Sequence, residues 1–265
     1  MKKTDAKRIG RAGAGSPADR RDPNRRSLIA AARLRRKVHR VTDLLATRYG
    51  SPHHDNKDDP LDELIFIILS QMTTHWSFGR VYNRLKKAAS SWRLLLSMPP
   101  HRVRTLIADA GLSRQKTRQI LAIVRRLDSD FGDVSLEALK SMRTFAAEAY
   151  LTSLPGVGVK TAKCVLMYSL GRPVLPVDTH VRRIATRVGL IGPRVPHSKV
   201  HGVLEAVVAP RDRYRFHVNA IVHGRNVCVA KVPRCAECVL AAICAYPHAS
   251  TVPSDEAAHP PSILT

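Results

Sequence analysis

Leu154-Pro155-Gly156-Val157-Gly158-Val159-Lys160-Thr161-Ala162 is a glycine turn set between two stretches, 145–153 and 159–170, whose patterning predicts helices. The turn therefore joins a helical hairpin. Glycines at 156 and 158 can take positive φ and leave their amides uncovered, so that successive N–H groups converge at the start of the second helix. Such a turn suits a phosphate. Backbone amides read no base, so the contact would hold nucleic acid without regard to sequence. The plainer reading is a helix connection that uses glycine for geometry alone. Lys160 weighs against it. It falls in the first turn of the following helix, where the dipole and partial burial are expected to depress its pKa. A neutral lysine can attack a sugar C1′ and form a Schiff base, whereas a surface lysine would merely pair with phosphate.

Outward from the hairpin, the chain reads as helix nearly throughout. Ser27 is expected to cap a helix whose apolar positions Leu34, Val38, Val41 and Leu45 follow the 3.6-residue period to Gly50. Pro60 opens an apolar helix ending at Leu69. Further helices are expected at 77–88, 91–98, 103–110 before Gly111, 113–131 before Gly132, and 135–142. Beyond the hairpin they are expected at 179–189, 197–209 and 213–223, with only 174–177 extended. The fold class is all-α.

Val177-Asp178-Thr179-His180 lies eighteen residues after Lys160 and puts Asp178 at the N-cap of the next helix. Its carboxylate could stabilise the positive charge that develops when a glycosidic bond breaks, or take a proton from an attacking amine. Taken singly it is a helix cap, and His180 reads as structural. Cys228, Cys235, Cys238 and Cys244 follow C-x6-C-x2-C-x5-C within seventeen residues. Clustered thiolates in a reducing compartment match a metal site, zinc or iron–sulfur; this compact single loop is better suited to a [4Fe-4S] cubane than to zinc's usual paired C-x2-C. Lys231 and Arg234 project from the loop between ligands as a basic fork for a backbone phosphate. Cys164, one turn beyond Lys160, reads as core.

Charge points the same way. Of 265 residues, 44 are Lys or Arg and 21 Asp or Glu, a net +23, of which residues 1–40 carry +11. A solvated tail or a DNA-tracking arm both fit residues 1–27, whereas +12 on the remainder can match phosphate spacing. Small acidic metabolites are poor partners for this surface; the polyanion that fits is nucleic acid. No apolar run approaches the roughly 20 residues of a membrane span. No secretory pattern is seen, so a reducing bacterial cytoplasm with its nucleoid is expected, an organelle or nucleus staying open. The proline-bearing tail 246–265 is expected to be disordered.

Taken together, the glycine hairpin with Lys160, the Val-Asp-Thr-His segment, His223-Gly224-Arg225 and the four-cysteine loop resemble endonuclease III, of the helix-hairpin-helix DNA glycosylase superfamily, over residues 30–245. The resemblance implies a six-helix lobe at 53–172 and a second lobe, from 28–52 and 173–245, holding the [4Fe-4S] cluster. Double-stranded DNA would lie between them, bound by a monomer. It also implies that Lys160 is the Schiff-base nucleophile and Asp178 its partner. The substrates would be oxidised pyrimidines and abasic sites, whose strand is cut by β-elimination.

Such chemistry needs the nucleotide flipped out and the hole filled. Gly111-Leu112 matches the family's wedge loop and makes Leu112 the candidate intercalator, although an apolar helix-end contact fits equally. The second filler is expected in Ser70-Gln71-Met72-Thr73-Thr74-His75, where the family pattern is Ala-Gln-Ala-Thr-Asp. Gln71 is displaced by one position, Met72 stands in the filler slot, and His75 replaces the acid. A monofunctional mismatch glycosylase, which would lack Lys160, and a silent damaged-DNA-binding protein are the rivals.

Overall fold

The computed structural model describes residues 23–50, 52, 56–72 and 78–246. The expected arm up to residue 22, the tail from 247, and Thr73, Thr74 and His75 lie outside the described residues. Ten α-helices and no strand are present among the described residues, and 174–177 lies outside every helix.

The first helix, α1 (Pro23–Tyr49), begins four residues before Ser27, because proline at the first helical position already supplies the required φ. After it come α2 (Pro60–Ser70), α3 (Phe78–Ala88), α4 (Pro100–Leu106), α5 (Ser113–Phe131), α6 (Thr144–Ser153) and α7 (Val159–Tyr168). The Asp59 carboxylate caps α2 by accepting from the amides of Leu61 and Asp62. The helix expected at 103–110 starts instead at Pro100 and breaks into a separate 3-10 turn at Ala108–Ala110, and those expected at 91–98 and 135–142 are short 3-10 turns at Trp92–Leu96 and Glu137–Lys140. The second half adds α8 (Thr179–Val188), α9 (His197–Val207) and α10 (Arg213–Asn226).

Apolar side chains gather into two cores. One is built from α2–α7 around Leu64, Ile68, Leu85, Ile107, Ile120 and Leu166. The other joins Val38, Val41 and Leu45 of α1 to Val181, Ile184, Leu204, Phe216 and Leu240. The chain passes between them at Val174 and Leu175. Across this junction the buried Lys163 ammonium of α7 binds Glu148 of α6 at 2.9 Å and Glu205 of α9 at 2.8 Å. Glu205 also accepts the Leu175 amide at 2.7 Å, and Tyr168 of α7 meets the Tyr214 and His217 rings of α10. One ion-paired lysine and an aromatic contact thus fix the two lobes where the linker crosses.

Candidate active site

The hairpin forms as the glycine pattern predicts, with one correction. Gly156 has φ +69°, and a Cβ there would meet the Gln119 amide at 2.7 Å. Gly158 has φ −91° and is the N-cap of α7, so any residue could adopt its backbone. A Cβ at Gly158 would meet nothing within 4 Å; what the missing side chain provides is open approach to the first amides of α7, which no earlier turn can satisfy.

Lys160 follows in the first turn of α7, partly buried. The expectation of a depressed pKa fails. The amine holds its proton more tightly than an ordinary lysine, the interaction with Cys164 being the first cause, with burial opposing and the Asp178 and Glu63 carboxylates adding to the rise. Acidic neighbours outweigh the dipole. Cys164 is 2% exposed, as its core reading requires, and burial pushes its own thiol up.

Asp178 stands at the N-cap of α8, its Oδ1 accepting from the Val181 amide at 2.8 Å. Among the described residues Oδ2 has no hydrogen-bond partner. The carboxylate so anchored lies within electrostatic reach of Lys160.

Glu63 was not singled out in the sequence. It is fully buried in α2 and accepts from Asn56 Nδ2 and from the Lys57 amide, both at 2.7 Å. Burial raises its pKa. The signal was available: a glutamate inside the apolar run from Leu61 to Leu69 has no place there unless it is bonded.

Helix α8 carries Asp178 at one end and grips the cysteine loop at the other. Arg183 donates to the Cys228 carbonyl at 2.7 Å and the Gly224 carbonyl at 2.7 Å. Arg187, one turn on, donates to the Val229 and Ala230 carbonyls at 2.8 Å each and to Cys228 Sγ at 3.4 Å. His180 packs on α10, where a Cβ at Gly224 would lie 2.7 Å from its own Cβ. That is a structural role, as read.

All four loop cysteines are free thiols that line one pocket together with Arg187, Arg234 and Tyr246. Among the described residues no three of these donors converge on a single point. Four sulfurs spread around a cavity fit a multi-iron group better than one zinc ion. Burial, helped by Arg48, lowers the His223 pKa to about 4, so its neutral ring bridges Tyr49 Oη, 2.9 Å from Nδ1, and Cys238 Sγ, 3.3 Å from Nε2. Lys231 and Arg234 are exposed on the first loop, Arg234 within 3.9 Å of Glu237.

The wedge candidates come together. Leu112 is 55% exposed with φ +48° and Met72 is 85% exposed with φ +51°. Both are left-handed non-glycine residues, a backbone strain found at functional sites. Gly111 lies between them, so close that its Cβ would be 3.0 Å from the Met72 carbonyl. Gln71 is exposed beside Met72.

A helical hairpin leading into a lysine, an acid capping the next helix, and a cysteine loop held by that same helix define a class of DNA repair protein. Residues 65–210 match the HhH-GPD superfamily of base excision DNA repair proteins, and the chain belongs to it. Within it, the chain is 31% identical to endonuclease III of Escherichia coli K12 over 214 residues, covering 79% of this chain and 96% of that protein. A trapped endonuclease III–DNA covalent intermediate superposes with a TM-score of 0.71 at 26% identity, over 79% of this chain and 95% of the other. A thermostable thymine-DNA glycosylase shares the fold, with a TM-score of 0.70 at 20% identity over 80% and 97%. The protein is a DNA glycosylase of base excision repair.

Proposed function

We propose that this glycosylase removes oxidised pyrimidines of the thymine glycol type from double-stranded DNA and then cuts the abasic strand through a Schiff base on Lys160. One observation carries it: an amine at the start of α7 shares an electrostatic neighbourhood with a carboxylate fixed at the start of α8, where the chain crosses between the lobes.

The sequence of events follows from these groups. Lys160 rests protonated, so it must first give up a proton, and Oδ2 of Asp178 is the nearby acceptor that the capping bond to Oδ1 leaves available. The Lys160 nitrogen then bonds to C1′ while the C1′–N glycosidic bond breaks, its electron pair leaving with the base, which takes up a proton. Asp178 offsets the positive charge on the sugar meanwhile. Ring opening gives the iminium, and loss of a C2′ proton expels the 3′ phosphate. Met72 and Leu112 fill the space left by the flipped nucleotide, Gln71 lies against the same gap, and the amides beside Gly156 and Gly158 hold a phosphate. A [4Fe-4S] cluster bound by Cys228, Cys235, Cys238 and Cys244 would supply structural and DNA-positioning support. The loop so held presents Lys231 and Arg234 to the backbone.

Borohydride trapping on a duplex with one abasic site tests the lyase. A covalent adduct is expected from cluster-replete protein and none from Lys160→Ala; a wild-type protein that never forms the adduct contradicts it. Excision is assayed separately on thymine glycol, dihydrouracil and mispaired duplexes. Activity on mispairs alone would favour the monofunctional reading, and binding without turnover the silent one.

A further inference from the structure

Lys116 of α5 is 3% exposed, and none of the roles above uses it. Its ammonium donates to the carbonyls of Leu69 at 2.8 Å, Gln71 at 2.5 Å and Ala110 at 2.6 Å. These carbonyls come from two turns far apart in sequence. Leu69 and Gln71 belong to the C-terminal end of α2, just before Met72; Ala110 closes the 3-10 turn just before Gly111 and Leu112. Helix ends leave carbonyls unsatisfied, and a cation there is favoured by the dipole. Here one cation serves two such ends at once.

We propose that Lys116 is the positioning residue of the wedge: its buried ammonium locks the two turns together, so that Met72 and Leu112 enter the duplex as one rigid pair. The inference rests on the glycosylase reading given above. Three further observations support it. Burial is the cause of the lowered Lys116 pKa, about 8, so it is backbone carbonyls that hold this cation in the protein interior. The two turns already touch, Gly111 lacking the Cβ that would crowd the Met72 carbonyl. Both tips are in left-handed conformations, which persist only where the surroundings over-determine them. A misplacement of about 1 Å at a reacting centre is worth about a hundredfold in rate, so the stiffness of this pair is functionally large.

The test compares wild-type holoenzyme, Lys116→Met, Lys116→Gln and the double variant Met72→Ala/Leu112→Ala, each checked for cluster absorbance and thermal unfolding. The first readout is 2-aminopurine fluorescence beside a tetrahydrofuran abasic analogue in a duplex, which reports unstacking without chemistry. The second is borohydride trapping on a single-stranded abasic oligonucleotide, which has no stack to open. Lys116→Met should reproduce the double variant, losing the fluorescence rise and on the order of ten- to hundredfold in duplex excision, with single-strand trapping unchanged. Lys116→Gln, keeping a donor, should fall between. An undiminished fluorescence response in both Lys116 variants, or a parallel loss of single-strand trapping, overturns the proposal. Should neither variant fold, hydrogen exchange of the wild-type protein decides it: the amides around 70–72 and 111–113 should be protected together, and rapid exchange of both would refute the clamp. If wild-type protein opens the stack yet gives no borohydride adduct, the lyase fails and the clamp stands; if it leaves the stack closed, the clamp fails by itself.

Discussion

Lys160 is surrounded by groups that want it charged, and the Schiff-base chemistry proposed for it needs it neutral. Cys164 contributes most to the rise, Asp178 and Glu63 less. Removing either non-catalytic neighbour should therefore let the proton go at lower pH. In Cys164→Ala the rising, acid-side limb of the adduct-formation rate is expected to move to lower pH, and in Glu63→Gln to move the same way by less. Rate profiles measured on cluster-replete protein check this; a reversed order, or a shift to higher pH, would contradict the assigned surroundings. Gly224 offers a purely steric case. Its missing Cβ would sit 2.7 Å from that of His180, so Gly224→Ala forces α10 away from α8 and should destabilise by about 1–3 kcal/mol, as overpacking does. Since Asp178 caps α8, excision should fall along with the unfolding temperature. An alanine variant as stable as wild type would mean that the two helices separate easily.

Among the elements, α5 shows why part of the molecule could be read in advance and part could not. Its limits, Ser113 and Phe131, were evident from the apolar period and from Gly132. Lys116 was not, although it lies on the buried face with Ile120, Ile123, Val124 and Leu127. A charge in an apolar stripe has a meaning only once its partners are known, and those partners are carbonyls from two other turns. The same limit hid Arg183 and Arg187, whose spacing of four is visible but whose acceptors lie about forty residues away. Asp178 was legible because a cap is a local bond, and so was the cysteine loop, whose four thiols are close in sequence. The short 3-10 turns were misjudged as helices because periodicity over one or two turns does not separate the two. Helix α5 also carries a linkage consequence. Lys116 has a folded pKa near 8 against an ordinary 10.5, so between those values the unfolded chain binds more protons, and this group's contribution to stability rises with pH. In wild type the chemical-unfolding free energy should gain from this group between pH 8 and 10.5, and Lys116→Met should lose that gain. Identical slopes in the two proteins would show that the lysine titrates normally. The clamp itself runs the other way, being complete below pH 8 and loosening above it.

At the scale of the whole molecule, charge governs how the enzyme meets DNA. The net +23 is shared between the N-terminal forty residues and the rest, and α1 alone exposes Arg33, Arg35, Arg36 and Arg40. If six to ten phosphates are neutralised, affinity for duplex should fall by about 10³–10⁵ between 50 and 200 mM salt. Lys231→Ala/Arg234→Ala should make the log–log slope shallower by about 2, since each phosphate contact accounts for about 0.9. Binding isotherms over a salt series measure both, and an unchanged slope in the double variant removes these two side chains from the DNA contact. No helix among the described residues is long and apolar enough to cross a membrane.

One lobe is assembled from both ends of the chain, with α1 packed on α9 and α10. During synthesis the intervening lobe can close its core by Val174, while Val38, Val41 and Leu45 wait for partners as distant as Leu240. At ribosomal speeds that wait is on the order of ten seconds or more. The four-cysteine loop emerges later still, after every α-helix of the described residues. A chain interrupted before α10 would present a finished glycine hairpin beside an orphaned, arginine-rich first helix, the species that proteases would find first.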